Sequence, residues 1–100
     1  MDAKTSWKEI LEENRQQYVV ELIELLRIPS VSAAEAHVGD VLKAGEWVAE
    51  RMKRAGVENV AMLPTGPHAC VYGDWLHAPG RPTVLLYGHF DVQPADPLEL

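Results

Sequence analysis

Cysteine is nearly missing from this 100-residue sequence, in which Cys70 is the only one. A single cysteine excludes an internal disulfide framework and a zinc site built on several thiolates. We expect Cys70, inside a predicted strand, to be a small core residue rather than a nucleophile. The sequence also lacks an apolar stretch long enough to span a bilayer, and its first residues contain no apolar signal-peptide region. We therefore expect a cytoplasmic protein.

Positive charge is scarce as well. Nine lysine and arginine residues against fifteen aspartate and glutamate residues give a net charge of −6. An acidic chain disfavours nucleic acid and anionic membrane surfaces as partners. The hydrophobic fraction of 47% is ordinary for a soluble globular protein and argues against disorder. A chain of this length forms one small domain at most.

Two helices are predicted in the first half of the chain. Ser6 and Glu9 have the form of a capping box, helically spaced apolar residues follow, and Pro29 ends this amphipathic helix, which we expect to cover a sheet. A second helix is predicted at about residues 38 to 55, where a basic last turn and Gly56 are typical of a helix end. The acidic residues of the first helix are interpreted as its solvated face: Glu9, Glu12, Glu13, Glu21 and Glu24.

Three strands are predicted after the helices, at about residues 57 to 63, 69 to 75 and 83 to 87, with proline- and glycine-rich turns between them. The third strand is the most apolar, and we expect it to be buried on both faces. The predicted fold class is therefore α/β, with two N-terminal helices and then three strands. Because a buried strand needs neighbours on its edges, this arrangement indicates the front of a larger domain.

The connector between the helices contains two serines, Ser30 and Ser32. No nearby base and no Gly-x-Ser-x-Gly turn supports a nucleophilic role for either. We expect capping or turn roles instead, and Ser32 with Glu35 has the form of a second capping box.

His89 and Asp91 follow the third predicted strand, just after Gly88. In extended backbone their side chains project from the same face, near a strand end where open α/β sheets place ligands. The pair can be a metal ligand with its orienting carboxylate, a general base with its orienter, or a structural hydrogen bond. A catalytic zinc needs about three protein ligands, so most of them would come from outside this sequence. Of the other histidines, His37 precedes the second helix, and His68 and His77 flank the second predicted strand, as exposed loop histidines commonly do. We do not expect these three to build a local site.

The stretch from Tyr87 to Leu100, YGHFDVQPADPLEL, closely resembles the first metal-site signature of a zinc metallopeptidase family. This family contains carnosine dipeptidase, acetylornithine deacetylase, succinyl-diaminopimelate desuccinylase and glutamate carboxypeptidase, and the resemblance is strongest to its dipeptidase branch. Residues 26 to 32, LRIPSVS, resemble the early loop of the family, and residues 49 to 66 and 71 to 75 fit it too.

The resemblance implies an α/β catalytic domain with a central mixed sheet, of which residues 1–100 are the N-terminal part, without the lid or dimerisation domain. It implies two zinc ions (manganese or cobalt being possible), with His89 as a metal ligand and Asp91 as the catalytic aspartate that orients it. Phe90 stands where the dipeptidase branch often has tyrosine. We expect little consequence, because this side chain should point away from the metal.

The function implied by the resemblance is zinc-dependent hydrolysis of dipeptides, N-acyl amino acids or related amides by a homodimeric full-length enzyme. Its general base and remaining ligands are expected beyond Leu100, so this chain is expected to be an inactive N-terminal fragment. The alternative is a non-catalytic α/β interaction or regulatory module with a relic metal site. A piece of a larger sheet is also expected to expose apolar surface and to self-associate or fold marginally.

Overall fold

The computed structural model describes residues 6–95. The last part of the metal-site signature, residues 96 to 100, therefore lies outside the described residues. The elements, in chain order, are helix α1 (Trp7–Leu26), a one-turn 3-10 helix (Glu35–His37), helix α2 (Val38–Arg54), strand β1 (Glu58–Pro64) and strand β2 (Ala69–Asp74).

Helix α1 begins where the capping box predicts. The hydroxyl of Ser6 accepts a hydrogen bond from the backbone amide of Glu9 at 3.2 Å, which satisfies one of the free N–H groups of the first turn. The helix does not cover the sheet as expected, because most of its large apolar side chains are exposed. These are Trp7, Leu11, Val19, Val20, Leu22, Ile23 and Leu26.

Glu21 is an exception to the predicted solvated face of α1, because its side chain is only 11% exposed. Arg51 Nε donates a hydrogen bond to Glu21 Oε2 at 2.8 Å, and Gln17 Nε2 donates to Oε1 at 3.2 Å. The Arg51 bond is the largest cause of a lowered pKa at Glu21. Arg51, predicted only as a cation of the last turn of α2, therefore ties α2 to α1.

Helix α2 carries the core of the structure and packs on both strands. Gly45 allows the close approach, because a β carbon there would lie 2.9 Å from Met62 Cε and 3.3 Å from Phe90 Cζ. Gly56 follows the helix with φ of +92°, as the prediction of a terminating glycine requires. The buried apolar side chains of α2 are Val41, Ala44 and Ala49.

Strands β1 and β2 form an antiparallel pair in which Leu63 lies opposite Cys70. The register shifts between Glu58 and Ala61, around Asn59, whose φ of +53° is in the left-handed region that asparagine tolerates. Cys70 is exposed, so the prediction of a core cysteine is wrong.

Residues 83 to 87, which we call the exposed run, do not form the predicted third strand. Val84, Leu85, Leu86 and Tyr87 are 75%, 91%, 89% and 92% exposed, so the predicted burial on both faces is wrong for this structure. The sheet formed by the described residues has two strands, β1 and β2, and neither pairs with the run. The fold class is α/β, as predicted, but these residues do not build a central mixed sheet.

Within residues 6–95, no helix combines the length and the apolar character that crossing a bilayer requires.

Candidate functional site

Two residues after the exposed run come residues 90 to 92, which we call the anchored segment because they are bonded to the connector between the helices. Ser30 Oγ donates a hydrogen bond to the carbonyl oxygen of Phe90 at 2.9 Å. The amide of Val92 donates to the carbonyl oxygen of Ser30 at 3.0 Å, and Val31 and Val92 form a parallel bridge. Ser30 is fully buried. The hydroxyl predicted to have a local turn role therefore fixes a segment 60 residues away.

His89 and Asp91 contact each other as their spacing predicts. His89 Nδ1 lies 2.8 Å from Asp91 Oδ1. Because a carboxylate only accepts hydrogen bonds, Nδ1 carries the proton of this bond, and Nε2 of the neutral ring retains its lone pair. The side chain of His89 is 76% exposed and that of Asp91 is 39% exposed. This arrangement gives an accessible imidazole nitrogen backed by a carboxylate.

Ser32 is hydrogen-bonded to the second carboxylate oxygen of Asp91. Its hydroxyl donates to Asp91 Oδ2 at 2.6 Å. The predicted capping box of Ser32 and Glu35 is not formed, since the 3-10 helix has Ala34 at its N-cap and no side-chain cap. The hydrogen bond from Ser32, followed by that from His89, holds the pKa of Asp91 below its ordinary value. Asp91 is thereby kept as an ionised acceptor.

His68 is half-buried at this site, so its interpretation as an exposed loop residue is wrong. Its Nε2 lies 3.0 Å from the carbonyl oxygen of Ser32 and must donate, because a carbonyl oxygen only accepts. His68 and Cys70 join Ser32, His89 and Asp91 in lining an open cleft of about 280 Å³. Neither residue is marked by a motif, and only the packing of β2 beside the anchored segment brings them there.

The two remaining histidines lie within hydrogen-bond distance of carboxylates outside this cleft. His37 Nδ1 lies 2.8 Å from Asp40 Oδ2, and the exposed His77 lies 2.8 Å from Glu58 Oε2. Neither His37 nor His77 is among the residues that line the cleft.

The structure brings together few side chains that could act as metal ligands. In the described part of the chain, no group of three or more histidine, cysteine, aspartate or glutamate side chains is arranged to hold a metal ion. Among these side chains, His89 Nε2 is the atom that fits a metal ligand best, because Nδ1 of the same ring is held by the carboxylate of Asp91.

Comparison with curated proteins finds dipeptidases. Over 107 residues the chain is 34% identical to the cysteinylglycine-S-conjugate dipeptidase of Corynebacterium striatum, a match that covers 98% of this chain and 23% of that protein. It is 28% identical over 97 residues to the Cys-Gly metallodipeptidase of Candida albicans, with coverage of 85% and 20%. The corresponding enzyme of Saccharomyces cerevisiae is 27% identical over 93 residues, with coverage of 81% and 19%. No protein-family model and no solved structure matches the chain.

These matches identify the chain as a homologue of metallopeptidases. Within that class its relatives are dipeptidases, which confirms the resemblance found in the sequence. The chain spans about a fifth of the length of the curated relatives that it matches.

Proposed function

We propose that His89 and Asp91 form one corner of a zinc site that hydrolyses dipeptides or related amide bonds in a longer protein. The observation that carries this proposal is the 2.8 Å hydrogen bond between His89 Nδ1 and Asp91 Oδ1 beside an open cleft. The names of the relatives, which include metallodipeptidases, support both a metal and a peptide substrate.

The residues present fit a metal in their chemistry. Zinc-ligating histidines usually donate their second N–H to a carboxylate, which fixes the tautomer and makes the ligating nitrogen more basic. When bound, zinc would supply Lewis-acid polarisation of the scissile carbonyl. Asp91 would hold the proton of His89 on Nδ1 and keep Nε2 free as the ligand. Manganese or cobalt would be the alternatives to zinc, because the choice among divalent metals depends on site geometry, ligand type and metal availability.

The same proposal assigns residues 1–100 to the N-terminal part of a catalytic domain that is inactive by itself. One ligating imidazole falls short of the about three protein ligands that catalytic zinc needs. The general base, the remaining ligands and the lid would come from other parts of the longer protein. We further propose that this protein is a cytoplasmic homodimer acting on dipeptides or N-acyl amino acids.

A chimera tests the proposal. The segment of the Corynebacterium striatum dipeptidase that matches this chain is replaced by residues 1–100, and hydrolysis of its dipeptide substrate is assayed with and without zinc. We expect hydrolysis that a chelator abolishes and zinc restores. His89→Ala should lower kcat/KM by about 100-fold or more, because the loss of a ligand should cost at least as much as the largest losses seen on changing its outer-shell partners. His77→Ala, in an exposed histidine outside the cleft, is the matched control and should retain activity.

Size-exclusion chromatography and circular dichroism establish that each chimera is folded. A folded, zinc-loaded chimera without activity would favour the alternative of a non-catalytic module with a relic site. Equal activity of the His89→Ala and His77→Ala chimeras would remove His89 from the proposed site.

A further inference from the structure

We propose that Ser32 is a positioning residue for His89 and acts on it through Asp91. The inference deepens the proposed function, because it assumes that His89 Nε2 is the ligating atom. Ser32 Oγ holds Asp91 Oδ2 at 2.6 Å, and His89 Nδ1 holds Oδ1 at 2.8 Å. Both oxygens of one carboxylate are thus engaged, each by a different residue. With Oδ2 fixed, the rotation of the carboxylate is fixed, and Oδ1 is left facing the imidazole.

The direction of each bond follows from the groups involved. A hydroxyl can donate or accept, but an ionised carboxylate only accepts, so Ser32 must donate its proton to Asp91. The 2.6 Å separation lies in the range of charge-assisted O–H···O⁻ bonds, which are about twice as strong as neutral ones. Ser32 therefore places its proton where it opposes rotation of Asp91.

The backbone of Ser32 is itself held on both sides. Its carbonyl oxygen accepts from His68 Nε2 at 3.0 Å. The two residues before it are bonded to the anchored segment, through the Ser30 hydroxyl and the bridge of Val31 to Val92. The hydroxyl is thus presented to Asp91 by backbone fixed relative to Asp91, which is the condition for a positioning role.

His89 depends on this arrangement because packing does little to orient its ring. Its side chain is 76% exposed, whereas that of Asp91 is 39% exposed. Without the Ser32 hydroxyl, Asp91 Oδ2 would turn towards water and the carboxylate could rotate away from His89 Nδ1. The proton of the neutral imidazole would then redistribute between its two nitrogens. Nε2 would be unprotonated, with its lone pair available to a metal, for a smaller fraction of the time.

The first test observes this proton directly. Long-range ¹H–¹⁵N correlation spectra of the 100-residue chain, recorded at a pH where His89 is neutral, report which ring nitrogen carries the proton. We expect the Nδ1–H form in the unmodified chain. Ser32→Ala should reduce the ratio of the Nδ1–H to the Nε2–H form several-fold, and Ser32→Thr, which keeps the hydroxyl, should restore it.

Ser30→Ala is the matched control, because Ser30 lies in the same connector and donates to the Phe90 carbonyl rather than to Asp91. Because the Val31–Val92 bridge and the bond from the Val92 amide remain in this variant, it should shift the tautomer of His89 much less than Ser32→Ala does. If Ser30→Ala shifts the tautomer as much as Ser32→Ala, the effect belongs to the attachment of the connector and the proposal is overturned. Should Ser32→Ala fail to fold, Ser32→Cys, a weak donor of similar size, is expected to lose the same preference.

A zinc titration of the same chains, followed by the ¹⁵N shift of His89 Nε2, separates this proposal from the proposed function. Ser32→Ala should weaken zinc binding about tenfold, the lower end of losses from outer-shell changes, and Ser32→Thr by less than about twofold. If zinc binds at His89 and Ser32→Ala changes neither affinity nor tautomer, Ser32 has no positioning role while the proposed function stands. If His89 does not respond to zinc in the isolated chain, the proposed function is decided by the His89→Ala chimera, and the tautomer comparison still decides the role of Ser32.

Discussion

The side chains of Val84 to Tyr87 are between 75% and 92% exposed, whereas Phe90, Asp91 and Val92 are half-buried and bonded to the connector. The exposed run is the most apolar stretch of its neighbourhood and has no strand beside it among the described residues. The anchored segment is less apolar, yet it is joined to residues about 60 positions earlier. Two residues separate these opposite outcomes.

The difference shows that partners, rather than composition, decide which segment becomes ordered against the core. A strand is stabilised by a neighbouring backbone that satisfies its N–H and C=O groups, and its apolar side chains add stability only when something covers them. The anchored segment instead uses specific bonds from Ser30 and Ser32. Its geometry therefore does not require the third strand.

The largest expected effect comes from removing an anchor. Ser30→Ala leaves the Phe90 carbonyl without its donor and should lower the free energy of unfolding by about 1–3 kcal/mol. Leu85→Ser, in a side chain that is 91% exposed, should change it by less than about 0.5 kcal/mol. Urea unfolding followed by circular dichroism measures both. If Leu85→Ser lowers the free energy of unfolding as much as Ser30→Ala does, the contrast between the exposed run and the anchored segment is wrong.

A second expected effect concerns association of the exposed run with other copies of the chain. Burying a leucine contributes about 1.5–3 kcal/mol, so Leu85→Lys with Leu86→Lys should raise the dissociation constant of self-association about tenfold or more. Sedimentation velocity over a concentration series measures this change. Leu76→Lys, at another exposed leucine, is the control and should have little effect. An unmodified chain that stays monomeric at every concentration would contradict the expectation.

The smallest expected effect extends the comparison to α1, which also exposes apolar side chains but is tied to α2 by the ion pairs of Glu21 with Arg51 and Arg54. The folded pKa of Glu21 lies below its ordinary value of 4.5, chiefly because of the Arg51 hydrogen bond. The ionised form is thus favoured by folding. The resulting stability is present above the ordinary pKa and is lost as the pH falls through the lower folded value.

This prediction is checked by thermal unfolding between neutral and acidic pH. Glu21→Gln should lower the unfolding midpoint near neutral pH, and the difference from the unmodified chain should vanish in acid. Glu24→Gln, on the exposed part of the same helix, should follow the unmodified chain at every pH. A difference that persists unchanged in acid would show that the charge of Glu21 is not its source.

Sequence patterns predicted the parts of this structure that depend on neighbours along the chain. The capping hydroxyl of Ser6, the terminating Gly56 and the contact between His89 and Asp91 all involve residues at most three positions apart or a single backbone conformation. The limits of α1, α2, β1 and β2 follow from the same local patterns, to within about two residues. The resemblance to metallopeptidases added the roles proposed for His89 and Asp91.

Contacts between residues far apart in the chain were not predicted from the sequence. In each case a nearby residue suggested a different role for the same side chain. Ser32 bonds to Asp91 59 positions away, although Glu35 offered a capping box three positions away. Glu21 pairs with Arg51 30 positions away, although its acidic neighbours on α1 indicated a solvated face. The prediction of a third strand was wrong although its local pattern is strong, because no strand among the described residues pairs with it.

The hydrogen bond from Ser30 to Phe90 also bears on the order in which the connector and the anchored segment come together during folding. It closes a loop of 60 residues, and closing a long loop costs chain entropy before any contact is gained. We expect helix α2 and the pair of strands β1 and β2, which lie between these two residues in the chain, to form before this bond closes, because local contacts cost less chain entropy than non-local ones. Ligand binding at a fully oriented His89 would therefore stabilise only chains that have completed this step, and it would slow the reopening of the loop.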